Sequence, residues 1–232
     1  MQETEKTARS PFRGAVIIGI LVFIISATGV VSIYSHSVDA INDQIRLYIE
    51  NIASTAAAFT DGDIHKKILI PEDINGKPYL TIEEEFEKLM RSQPDIKYTY
   101  TFIYRDDKIY FVVDVACPQD NAEPAKIMEV YDNATPRMFK AAMTGSSAVE
   151  RDFSTDKWGT FLSGYAPFFD SEHKLVGMVG VDVNINSYMM KFKTLKDSLI
   201  ISIILCFISA LLVGYYILTS QVNGNERLTD HL

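Results

Sequence analysis

The sequence predicts an α+β domain, an antiparallel sheet preceded by a long helix, carried between two membrane-spanning helices. Three observations predict it. Two apolar stretches with no charged residue, 14–34 and 198–218, bracket everything else in the chain. Between them lie segments of strict apolar/polar alternation rich in aromatic and β-branched residues, the signature of half-buried strands. Ahead of those strands runs an unbroken apolar stripe with steps of three and four.

Each bracketing stretch is about 21 residues long and apolar on every face, enough to cross a hydrocarbon core as a helix. Lys6, Arg9 and Arg13 precede the first one and would also suit a signal peptide. Its apolar run exceeds the roughly 7–15 residues of a signal's apolar region and continues past Ala27 through Val30, Val31 and Ile33, which reads as a retained anchor. Basic residues also precede the second stretch (Lys191, Lys193, Lys196), but the short N-terminal tail is the stronger topogenic signal. The expected layout is a cytoplasmic tail (1–13), a first span (14–34), an extracytoplasmic domain (35–197), a second span (198–218), and a final segment (219–232) that is a cytoplasmic tail or the start of an output region. The protein is thus expected in the cell membrane, with two passes.

The formal charge of −8 belongs to the middle domain, which holds 18 of the 22 Lys and Arg and 26 of the 30 Asp and Glu. Such a surface excludes nucleic acid as a partner. Cys117 is alone in the soluble region and Cys206 lies in the second span, so no disulfide can be drawn within the domain.

From the membrane outward, Val38, Ile41, Ile45, Ile49, Ile52, Ala56 and Phe59 form one stripe along a helix continuous with the first span. The stripe packs on its own domain, and its membrane-near part meets a second copy in a homodimer. Asp61-Gly62-Asp63 ends this helix. Thr81 and Glu84 fit a capping box for a shorter one that buries Ile82, Phe86, Leu89 and Met90 and stops at Pro94.

Strands are expected at 97–104 and 108–116, joined by Asp106-Asp107. A two-residue turn places Tyr98, Tyr100, Phe102 and Tyr104 opposite Val115, Val113, Phe111 and Ile109 on a core face. It leaves Thr99, Thr101 and Asp114 on the other, mixed face. Residues 117–129 read as a loop. Thr135-Pro136 is a helix start and Gly145 a stop. Strands at 153, 158–169 and 174–183 complete the sheet, with Phe161, Ser163 and Tyr165 on the face of Asp182, Gly180 and Met178. A last helix, from about 184–187, runs without a breaker into the second span.

The stretch Asp152-Phe153-Ser154-Thr155-Asp156-Lys157-Trp158-Gly159-Thr160-Phe161-Leu162-Ser163-Gly164-Tyr165-Ala166-Pro167-Phe168-Phe169-Asp170, followed by Leu175-Val176-Gly177-Met178-Val179-Gly180-Val181-Asp182, resembles the ending of the Cache (PAS-like) sensor domains of two-pass bacterial and archaeal receptors. The resemblance spans about 35–196, the length of a single module. It implies a membrane-anchored extracytoplasmic sensor of a small molecule, signalling through its helices to a cytoplasmic output domain or partner. In amino-acid-binding members an Arg-x-Trp-Tyr helix motif holds the ligand carboxylate, while a strand Tyr and the Asp after the last Gly hold the amine. Asp182 matches that Asp. Phe153 stands in place of the strand Tyr, and Arg137-Met138-Phe139 in place of the helix motif.

The candidate ligand-binding residues are therefore Thr99, Thr101, Asp114, Arg137, Phe153, Trp158, Ser163, Tyr165 and Asp182. They are expected to line one cavity between the sheet and the 135–145 helix, with Arg137 or Lys140 at its mouth. Asp61, Asp63 and His65 alternate, but only three ligands are in view, in a helix exit where Asp-Gly is ordinary turn chemistry, so no metal is assigned. No nucleophile elbow, phosphate loop, zinc motif or Cys/His pair is present, so no catalytic residue or cofactor is assigned. The competing function class is a membrane-anchored adaptor or assembly protein whose domain binds protein and no small ligand.

Overall fold

The computed structural model describes residues 2–116, 123–156, 159–184 and 186–229. The chain divides into two units, 1–41 with 190–232, and 42–189.

The first unit is a pair of helices, the N-terminal part of α1 (Gln2–Phe59) and most of α5 (Asn186–Thr229, the fifth helix in chain order). Each contains a run long and apolar enough to cross a membrane. They meet through small residues. A Cβ on Gly19 would lie 3.2 Å from the Ala210 carbonyl oxygen, and one on Gly214 would lie 3.6 Å from that of Ala15. One turn along, the Phe23 and Phe207 rings pack edge-to-face at 5.8 Å. Ala15/Gly19 and Ala210/Gly214 are small residues four apart, the spacing that lets two apolar helices approach backbone to backbone.

In the second unit, α1 carries the expected stripe: Ile45, Ile49, Ile52 and Ala56 are buried. Phe59, assigned to the same stripe, is instead 63% exposed. It is the last residue of α1 and its turn has no further turn above it to pack beside. After α1 come α2 (Gly62–His65), a 3₁₀ turn (Pro71–Asn75) and α3 (Lys77–Ser92). The Thr81/Glu84 capping box does not form. Pro78 favours a first-turn position, so α3 starts after Gly76, and the Thr81 hydroxyl already sits inside it, donating to the Lys77 carbonyl at 2.8 Å. Tyr79, Ile82, Phe86 and Met90 are its buried face, and Leu89 is only half-buried.

The strands are β1 (Ile96–Arg105), β2 (Lys108–Ala116), β3 (Ala148–Val149), β4 (Ser154–Asp156), β5 (Gly159–Phe169) and β6 (Leu175–Asn184). All pair antiparallel in the order β2-β1-β6-β5-β3, with β4 also on β5. Together with the long N-terminal helix this is an α+β fold built on one antiparallel sheet. One face packs α1, α2 and α3: Gly164 of β5 admits Ile49 so closely that a Cβ there would meet its side chain at 2.5 Å. The other face carries α4 (Pro136–Thr144). Its start and stop are as the sequence indicates. Thr135 accepts the Met138 N–H at 3.0 Å, and Gly145 closes the helix in the left-handed conformation at φ 61°.

The β1–β2 turn is Asp106-Asp107, with φ of 50° and 56°. Two left-handed residues match the twist of a hairpin. Next to the turn the expected pairing holds, with Tyr104 opposite Ile109 and Phe102 opposite Phe111. Beyond Phe102 it fails by one residue. Val112 and Val113 together face Thr101, so Tyr100 pairs with Asp114, Thr99 with Val115, and Tyr98 with Ala116. This β-bulge moves Asp114 to the opposite side from the one alternation assigns.

Candidate functional site

The sheet face beneath α4 takes one row from each strand. Directly paired residues share a face, so Asp114, Tyr100, Gly180 and Tyr165 form one row across β2, β1, β6 and β5, and Ala116, Tyr98, Asp182 and Ser163 the next. Glycine at 180 is a steric requirement. A Cβ there would fall 2.3 Å from the Tyr100 ring, which lies over it. In that position the Tyr100 hydroxyl donates to Asp182 Oδ1 at 3.2 Å.

A second phenol, Tyr165, donates to Glu150 Oε1 at 3.1 Å. The same oxygen accepts from the hydroxyl of Thr135, the α4 cap. Arg46 of α1 donates to the Arg151 carbonyl at 2.6 Å, holding the backbone beside Glu150. Asp114 Oδ2 accepts the Ala125 N–H at 2.6 Å. That contact fastens the segment before α4, which also pairs with β2 through Phe111 and Glu129 and brings Tyr131 against the Phe111 ring at 5.1 Å.

Burial, and then the charge of Asp182, push the Tyr100 hydroxyl well above its ordinary value, with Tyr165, Tyr131 and Asp114 adding to it. Burial and then Glu150 do the same for Tyr165, with Asp182 and Tyr131 behind. Both phenols are neutral donors at any physiological pH, facing buried carboxylates. The site is acidic and aromatic, suited to a positive charge or a cluster of hydrogen-bond donors.

The structure brings together Asp114, Ser163, Tyr165 and Asp182 from the residues the sequence singles out. Thr99 and Thr101 are corrections: they lie on the far face, paired with Val181 and Val179, where the bulge leaves them while it moves Asp114 away. Phe153 is also a correction, being 42% exposed just before β4. Trp158 and the 117–122 part of the loop 117–129 lie outside the described residues. Arg137 is on α4, but its guanidinium donates to the Val149 carbonyl at 3.0 Å. With Lys140 and Arg151 it borders an open groove of about 720 Å³ along α4 and β3. Tyr98, Tyr100, Phe102, Phe161 and Met138 pack between α4 and the sheet. Asp61, Asp63 and His65 turn to separate partners: the α2 N-terminus, Lys66 with Ser171, and Thr101.

Sequence reasoning missed Glu150 and placed Tyr100 only in the core. The glycine at 180 in register with Tyr100 was the one available signal.

No family model matches the chain, and no curated protein matches it. Solved structures do align with it. The Escherichia coli DcuS sensor domain aligns at 13% identity and a TM-score of 0.44, covering 68% of this chain and 98% of that one. The ligand-binding domain of the Campylobacter jejuni chemoreceptor Tlp3, in complex with 4-methylisoleucine, aligns at 11% identity and a TM-score of 0.37. That alignment covers 80% of this chain and 63% of the chemoreceptor domain, so the chain spans less than two thirds of it. A domain of a putative sensory box/GGDEF protein from Vibrio parahaemolyticus aligns at 13% identity and a TM-score of 0.42, over 72% of this chain and 63% of that one.

Proposed function

We propose that this chain is a two-pass membrane sensor whose 42–189 domain lies outside the cytoplasm and reports a small organic cation to a cytoplasmic output module or partner. The apolar runs of α1 and α5 support the two passes. One observation carries the choice of ligand: Asp114, Glu150 and Asp182 are buried on one sheet face with Tyr100 and Tyr165, while Arg137 is spent on a backbone carbonyl. A carboxylate ligand would meet like charge there; an amine would meet partners. The Tlp3 domain is described with an aliphatic amino acid, and this site supplies the amine half of such recognition without the carboxylate half.

The test is a thermal-shift screen of the full chain in detergent with amines, quaternary ammonium compounds, amino acids, organic acids and purines. A ligand at 100 times its Kd adds about 2.7 kcal/mol to the bound fold. Stabilisation by amines, lost in Asp182→Asn, supports the reading; stabilisation by organic acids alone contradicts it. The aromatic filling beneath α4 favours a second reading, a membrane-anchored adaptor whose domain binds protein, and a screen in which no class stabilises the chain selects it.

A further inference from the structure

The bulge that turns Asp114 toward the candidate site is held from the other side of the sheet. A bulge leaves one strand with an extra residue and an N–H that the ladder cannot satisfy. Here the Val113 N–H goes to the hydroxyl oxygen of Thr101, the residue facing the bulge, at 3.0 Å. That hydroxyl is fully buried and lies 2.9 Å from His65 Nε2. The same hydroxyl that accepts from Val113 thus also shares a hydrogen bond with the imidazole, whose direction is set by the His65 tautomer.

His65 is itself fixed. It is 2% exposed, its ring meets Phe168 edge-on at 4.8 Å, and it ends a short helix capped by Asp61. The chain from His65 through Thr101 to Val113 thus stabilises the register in which the next residue, Asp114, crosses to the Tyr100 side. There Asp114 holds the Ala125 N–H, and with it the segment that carries Tyr131.

We propose that Thr101 and His65 are positioning residues for the candidate site: from the far face they lock the Val112–Val113 bulge that aims Asp114 at Ala125 and the phenol cluster. Its importance for ligand recognition rests on the function proposed above; the geometry itself does not.

The test needs no ligand. The full chain in detergent is labelled with ¹⁵N-alanine, and amide shift and hydrogen exchange are read at Ala125, which reports the Asp114 contact. Ala141 and Ala142, buried in α4, report the fold in the same spectrum. Thr101→Val should remove the downfield shift of the Ala125 amide and speed its exchange about tenfold or more, with Ala141 and Ala142 unchanged. Thr101→Ser, which keeps the hydroxyl, should restore it. An unchanged Ala125 in a folded Thr101→Val chain overturns the proposal. If Ala141 and Ala142 show that Thr101→Val does not fold, His65→Phe against His65→Gln decides: faster Ala125 exchange in Phe, rescued by the hydrogen-bonding Gln amide, supports the proposal, and equal exchange in both overturns it. Either result leaves the ligand screen standing, and failure of that screen leaves this result standing.

Discussion

Gly180 lies opposite Tyr100 across the β1–β6 ladder, and the Tyr100 ring occupies the volume a side chain at 180 would need. The phenol reaches Asp182 only because residue 180 has no Cβ. Gly180→Ala adds the usual gain of replacing a strand glycine, roughly 0.5–1 kcal/mol. It also forces the ring out of contact, and overpacking of this kind costs about 1–3 kcal/mol. The net effect should be a loss of stability and of the Tyr100–Asp182 bond, read as a lower urea midpoint and an altered tyrosine near-ultraviolet signal. An equal or higher midpoint would show that the ring has room to move.

Thr99 is buried on the far face, and its hydroxyl finds no hydrogen-bond partner among the described residues. A buried unsatisfied hydroxyl costs on the order of 1–3 kcal/mol. Thr99→Val keeps the shape and the β-branching, so it should raise stability by about 1 kcal/mol and leave ligand response unchanged. Urea denaturation of the two proteins side by side checks this; a destabilised variant would mean the hydroxyl has a partner.

Burial lowers the pKa of His65 from 6.5 to about 4. The native state therefore refuses a proton that the unfolded chain accepts. The associated stability is complete above pH 6.5, is lost progressively as pH falls toward 4, and amounts to roughly 3 kcal/mol over that window. Denaturation midpoints of the parent and His65→Gln, compared from pH 7 to pH 4, should converge as pH falls. Parallel curves would show that His65 takes its proton in the folded state.

The helix pair of the first unit depends on close backbone approach at Gly19 and Ala210. Gly19→Leu should separate the helices. With the native cysteines replaced, Ala15→Cys and Gly214→Cys should cross-link within one chain, far more slowly once Leu stands at 19. Equal rates would indicate that the pair is held elsewhere.

Most of the architecture is legible from local signals, because the stripe 45–56, the Asp106-Asp107 turn and the Thr135/Gly145 caps each act within a few residues. The grouping of Asp114 with Thr99 and Thr101 fails for a single cause. Alternation carries a face assignment along a strand only while register is unbroken, and the bulge at Val112–Val113 reverses it for Asp114 but not for Thr99 or Thr101. Nothing in the Phe111-Val112-Val113-Asp114 sequence marks the extra residue; its stabilising partner, His65, comes from a helix 36 positions before Thr101. Glu150 was hidden for a similar reason, since its role depends on Thr135 and Tyr165, both 15 positions away.

The account rests on the acidic phenol cluster as a binding site for a small cation. Native mass spectrometry of the full chain released from detergent, after equilibration with a mixture of amines and organic acids, tests this most directly. The account predicts retention of an amine by the parent chain and its loss in Asp182→Asn and Tyr100→Phe. Retention of an organic acid instead, or of the same amine by both variants, would contradict it.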